Sequence, residues 1–267
     1  MSILLSASPY EEWRIQQSMT GAMTKRFQPA FEAEIAKASR DMLNTYTLTG
    51  SVPALPMQHV RGVETVFREL TTVAVDAFGG RMLGKAHGSL ETKVFSELFE
   101  RLAAEYLQAE AIRRRITYIS EATRAMIISA IAKEQLAGSG VDKIAQIISD
   151  AIPGISRYRG ALIARTETHG ASQYANHKSA KATGLDLVKV WVSVKDHRTR
   201  DFGESDGVID EFSHRAMDGV EANPDDPFMV PRSNKTFEPL MFPGDPEGSP
   251  GSVINCRCAV VHKIRGT

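Results

Sequence analysis

Cysteine is nearly absent from this chain of 267 residues: there are two, Cys256 and Cys258. A single C-x-C pair does not make the disulfide framework of a secreted mini-domain. Net charge is also missing, because 32 basic residues offset 32 acidic ones. A neutral chain carries no global electrostatic footprint for nucleic acid or an anionic membrane. Arg113-Arg114-Arg115 is the one dense basic run and reads as a solvated helix face. No apolar run approaches the ~18 residues of a membrane span. Met1 to Tyr10 lacks the basic flank and long apolar core of a secretion signal. Synthesis in a cytoplasm and no membrane partner are therefore expected. A phosphate-binding loop, a Rossmann glycine run, a His-Glu-x-x-His zinc motif and an internal repeat are absent too.

What is present is length and periodicity. The chain is long enough to bury a sizeable core, as one large domain or two small ones. Trp13, Ile15, Met19, Met23, Phe27, Phe31, Ile35 and Met42 recur at roughly helical spacing and predict a helix over 11–46. Gly50, Pro53 and Pro56 break it. A second helix is expected over about 60–78, stopped at Gly79-Gly80, followed by a polar connection from Arg81 to Leu90. From Glu91 the pattern is helical again through Val94, Phe95, Leu98, Phe99, Leu102 and Tyr106. It continues, after a short break near Thr117 to Ser120, to about Leu136. Val141 to Ile148 marks a short helix stopped before Pro153, and a last long helix is expected over 154–182 with Gly184 as its stop. On it Arg165, His169, Gln173, Asn176 and His177 share a stripe.

The period then switches from 3.6 to 2. Val188, Val190, Val192 and Val194 alternate with Leu187, Lys189, Trp191, Ser193 and Lys195, predicting a strand with a core face and a mixed face. Phe228 to Val230 reads as a short strand, and Ser252 to Ile264 as a final strand carrying Cys256 and Cys258 on one face. The fold class is α+β, with long helices over the N-terminal two-thirds followed by a small β-rich C-terminal module. A helical N-terminal region is placed at 1–110 and a second domain at 111–267, with helices over 118–183 and the β-rich module over 186–265.

The residues that could carry chemistry gather between Asp196 and Cys258. Two cysteines at i and i+2 of a strand project together, and with His214 or an aspartate they could share a metal. They read equally as two small buried thiols. A Cys256 nucleophile paired with His214 or His262 is a further arrangement, without a helix N-terminus or nucleophile turn around it. Asp196-His197-Arg198-Thr199-Arg200-Asp201 follows a strand. Asp196 is suited to accept N–H bonds from Arg198 or Thr199 in an Asx-type turn, with Arg198 or Arg200 pairing to the acidic loop. His214 and Asp218 stand one helical turn apart before Gly219 and suit either acid–base work or a fixed contact between loops. Arg165 and Glu167 carry the same alternatives.

Taken in order, these pieces resemble a known family. Ala164-Arg165-Thr166-Glu167-Thr168 on a helix is followed by a strand with Trp191 and by Asp196-x-Arg198-Thr199-Arg200. Then come His214, Asp218-Gly219, Pro243-Gly244-Asp245-Pro246 and Asn255-Cys256-Arg257-Cys258. The set is similar to the phage Mu F-like (SPP1 gp7-like) head morphogenesis proteins, over about 115–265. The resemblance implies a bacteriophage minor capsid protein and not an enzyme. It implies a structural protein of the virion, inside the capsid near the portal, with a role in head morphogenesis, DNA packaging or viral genome ejection. The implied partner is the portal protein, with major capsid or scaffold protein and contact with DNA inside the head as further partners. Many relatives carry extra cysteines beside the Asp-x-Arg-Thr segment, spaced as a zinc pair with the terminal ones. Here Asp201-Phe202-Gly203-Glu204 hold that place, leaving Asp196, His214, Cys256 and Cys258 as the set for zinc, the one cofactor suggested. The alternative function is a metal-assisted hydrolase or nuclease using those four residues around an open metal position. The N-terminal helices suit docking to a partner, and their Met and aromatic positions equally suit the protein's own core.

Overall fold

The computed structural model of the chain describes residues 8–54, 57–87, 95–203 and 209–266. The fold is α+β, as the periodicities predict: long helices come first and a small β module closes the chain. The helices are α1 Pro9–Thr49, α2 Met57–Ala74, α3 Gly80–His87, α4 Ser96–Gln108, α5 Glu110–Leu136, α6 Val141–Ala182 and the single turn α7 Pro250–Val253. The strands are β1 Leu187–Val192, β2 Glu221–Ala222, β3 Phe228–Pro231, β4 Phe237–Leu240 and β5 Ala259–Ile264. The expected helical start at Glu91 and Val94 lies outside the described residues, as do Glu204 and the first residues of the chain.

Contacts in space group the chain into two compact units that do not follow chain order. One gathers Thr24–Glu69 with Leu107–Ala164. It is helical, and Ala38, Met42, Leu43 and Tyr46 of α1, Ile127 and Ile131 of α5, and Ile144, Ile148 and Ile152 of α6 form its buried cluster. The spacing of Phe27, Phe31, Ile35, Ala38, Met42 and Tyr46 keeps one stripe of α1 buried. These Met and aromatic positions therefore build the protein's own core. The other unit gathers the chain up to Met23, Leu70–Tyr106, and Arg165 onward. It contains the β module and every candidate site residue.

Several helix boundaries differ from the sequence reading, each for a physical reason. Gly79-Gly80 does not stop α2: the backbone widens into one π turn at Val75–Gly79 and continues as α3. A Cβ on Gly79 would stand 2.8 Å from Ser179 Oγ and 2.9 Å from the Phe99 ring, so the glycine permits close packing there. Pro153 lies inside α6, because the buried face of Ile144, Ile148 and Ile152 continues past it through Ser156, Gly160 and Ile163. The expected break at 117–120 is helical, since Thr117 and Ser120 bond back to the carbonyls of Arg113 and Ile116. The break falls instead at Ala109, whose ψ of 132° leaves the helical region.

In the β module the sheet order is β2-β1-β5, all antiparallel, with Trp191 opposite Val260 and Val192 opposite Ala259. β3 and β4 form a separate hairpin. β1 stops at Val192 rather than Lys195, and it is buried on both faces. Its free neighbour β5 is an edge, and edges need covering. Gln173 Oε1 accepts the Val260 N–H at 2.7 Å, and Asn176 Nδ2 and Gln16 Nε2 donate to the Val260 carbonyl at 2.8 and 3.1 Å. The polar stripe of α6 is thus spent on the edge of the sheet. The last strand is half its expected length: Pro250 opens α7, and Asn255 then takes a left-handed φ of 57°. Asparagine tolerates that region. Cys256 and Cys258 consequently lie before β5, on its approach.

Candidate functional site

The sequence places chemistry in three segments far apart in the chain, and the fold brings them together. α6 supplies Arg165 to His177, the loops after β1 supply Asp196 to Asp218, and the turn after α7 supplies Asn255 to Cys258. Arg165 Nε donates to Asn255 Oδ1 at 3.1 Å, and the Asn255 N–H donates to Thr166 Oγ1 at 3.2 Å. These bonds hold the left-handed turn against the helix. Glu167 is buried beside them.

Asp196 accepts the Arg198 N–H at 3.0 Å and the Thr199 hydroxyl at 3.2 Å, which is the Asx-type turn expected. Both its oxygens also receive the Arg257 guanidinium, each at 2.6 Å. That fork holds the Asp196 carboxyl well below the usual carboxylate range and raises Arg257 in turn. Arg198 reaches Asp196 more loosely, at 3.7 Å. Among the described residues Arg200 pairs with no carboxylate: its guanidinium donates to the Ile254 carbonyl, and its own carbonyl accepts the N–H groups of His214 and Arg215. The acidic partner falls to Arg215, which pairs with Asp201 at 3.0 Å.

His214 and Asp218 do not meet. Asp218 accepts the Ser193 N–H at 2.9 Å and pairs with Lys195. Gly219, at a φ of 79°, donates its N–H to the Trp191 carbonyl at 2.8 Å. His214 turns inward instead. Its Nδ1 lies 3.6 Å from Cys256 Sγ and 3.7 Å from Cys258 Sγ, and its Nε2 meets Ser252 Oγ at 3.2 Å. The Trp191 ring stands edge-on to it, with centroids 5.2 Å apart. Donor atoms of His214, Cys256 and Cys258 all lie within 4.8 Å of one another, and the residues are 1%, 5% and 3% exposed. Asp196, the fourth residue of the sequence-derived set, is held apart from them by Arg257.

The two thiols share their protons. The hydrogen bond from Cys258, against burial, pushes Cys256 down with help from His214 and His169, while burial pushes Cys258 up. His169 entered the sequence reading only as a member of the α6 stripe. In the structure it is buried, and its Nε2 has no hydrogen-bond partner.

A second polar group has no counterpart in the sequence reading. Lys189 is fully buried in β1, donates to the Met241 carbonyl at 2.8 Å and stands over the Phe228 ring. Burial, partly offset by Asp245 and Asp226, lowers its pKa to about 8. Behind it His177 Nδ1 and His262 Nε2 lie 3.4 Å apart in a buried stack. Burial lowers His262 to about 3 and, with the help of its neighbour, lowers His177 further still. In sequence an alternating strand gives no sign that its lysine points inward.

A family model described as "Phage Mu protein F like protein" matches residues 125–261, about half of the chain, and spans all these segments. No curated protein and no solved structure matches the chain. Among the described residues no helix is long and apolar enough to cross a membrane.

Proposed function

Because this chain belongs to the phage Mu protein F like family, we propose that it is a minor head protein that binds the portal. Family membership supports a phage head-related protein with a place in the virion. The finer reading puts the chain inside the capsid near the portal, acting in head morphogenesis, DNA packaging or genome ejection. Major capsid or scaffold protein and packaged DNA are its further contacts in this reading. The observation that carries it is how the motif residues within the family match are used: Arg165 holds Asn255, Arg257 holds Asp196, and Arg200 holds Ile254. Each fixes a loop or turn to α6 or to another loop, which suits a part that must present a rigid surface in an assembly.

The enzyme reading has less support. A metal-assisted hydrolase keeps one metal position open to substrate and water. His214, Cys256 and Cys258 are buried, and Asp196 has both oxygens engaged by Arg257. A Cys256 nucleophile would be equally shut away.

The test is co-expression of the full chain with the portal protein encoded by the same phage, followed by size-exclusion chromatography with light scattering. The two are expected to elute as one complex. Separate elution of a folded chain and an assembled portal contradicts the proposal.

A further inference from the structure

We propose that Cys256, Cys258 and His214 bind one Zn²⁺ in a closed, structural site, with His169 turning in as the fourth ligand of a Cys2His2 set. The first argument is distance. Zinc bonds of ~2.3 Å to sulfur and ~2.0 Å to nitrogen, at tetrahedral angles, separate a histidine nitrogen from a cysteine sulfur by about 3.6 Å. His214 Nδ1 stands 3.6 Å from one sulfur and 3.7 Å from the other. A hydrogen bond does not account for both contacts. The ring nitrogen has one lone pair or one proton and can serve one thiol well. Two sulfurs equally far from one nitrogen are what a common central ion produces.

The second argument is orientation. A metal-ligating histidine holds its other ring nitrogen in a fixed hydrogen bond, which sets its tautomer. His214 Nε2 is fixed by Ser252 Oγ at 3.2 Å, and Ser252 is fully buried on α7. That leaves Nδ1 facing the sulfurs as a lone-pair donor.

The third argument is the fourth donor. His169 is 2% exposed and its Nε2 has no hydrogen-bond partner; it stands outside the group of donors within 4.8 Å of one another, so its ring shifts to reach the ion. Leaving a buried ring nitrogen unpaired is unfavourable, and a bound ion removes that cost. Gly244 makes the room: a Cβ there would stand 2.6 Å from His169 Cδ2, and its φ of 81° already favours glycine.

The usual difficulty with C-x-C, that two strand sulfurs point side by side without converging, does not arise. The pair lies on the approach to β5, after the left-handed Asn255, where the backbone is free to curve. The donor set of two thiolates and two imidazoles, shut from water, suits Zn²⁺ rather than a hard cation. An ion there would tie α6, the turn at His214 and the approach to β5 at one point.

The experiment uses the full chain, expressed with added zinc and analysed by elemental mass spectrometry, then stripped and titrated with Zn²⁺ and with Co²⁺. One zinc per chain is expected, with cobalt giving sulfur-to-metal charge transfer and the strong visible bands of four-coordinate geometry. His169→Ala should weaken Zn²⁺ binding by on the order of 100-fold or more, since even a supporting group costs up to that, and weaken the visible cobalt bands as water enters. Asp196→Asn should leave metal content unchanged. Substoichiometric metal in the natural chain, with no cobalt–thiolate absorption, overturns the site without recourse to any variant. Unchanged affinity in a folded His169→Ala protein, or loss of metal in a folded Asp196→Asn protein, overturns the fourth ligand.

Discussion

At the scale of single residues, Asp196 ties together two parts of the module. It closes its own turn and takes a two-pronged bond from Arg257, although it is not deeply buried. Asp196→Asn removes the charge and keeps the shape. The expected loss is about 2 kcal/mol, the scale of hydrogen bonds to a charged group, read as a lower urea midpoint at unchanged slope. Gly244→Ala meets two obstacles together, a left-handed backbone and the His169 ring at 2.6 Å. It should cost roughly 1–3 kcal/mol. His177 and His262 set an acid limit. Both pKa values are lowered in the folded state, His262 to about 3 and His177 further, while in the unfolded chain each is ~6.5. The unfolded state therefore takes up protons that the folded state refuses, and stability is full above about pH 6.5 and lost as pH falls. Between pH 6.5 and 5 the loss should be roughly 1 kcal/mol or more per ring, and His262→Gln should flatten the slope of urea midpoint against pH.

At the scale of elements, β5 shows how helix and sheet are matched. Gln173→Ala leaves the buried Val260 N–H without its acceptor. It should cost about 1–3 kcal/mol and raise amide exchange at Val260. The same pairing shows what the sequence made legible. The stripe from Arg165 to His177 was visible from helical spacing, and so was the strand that follows it. What the stripe touches was not, because periodicity gives a face and not its partner. Pro153 and Gly79 mislead for a related reason. Their local preference is to end a helix, and burial of Ser156 and Ile163 beyond one and packing of Ser179 and Phe99 against the other overrides it. His169 was missed as a neighbour of the sulfurs because it lies nearly ninety positions from Cys256 in the chain. Nothing local distinguishes it from His177, which turns to a different partner. Cys256 and Cys258 stand out in the sequence as a pair, but the strand expected to carry them begins after them, since the left-handed turn at Asn255 leaves only a faint mark in the sequence.

At the scale of the whole molecule, neutrality, the α+β division and the order of motifs were legible together, and the order pointed to the family. The proposed role rests on loops held rigidly to one another within that family's segment, and it places the chain at the portal. The most direct test is quantitative mass spectrometry of purified procapsids assembled with and without the portal protein. A low, constant copy number of this chain in portal-containing heads, and its loss from heads lacking the portal, is the predicted result. Heads that contain none of it, or that contain equal amounts with and without the portal, would contradict the account.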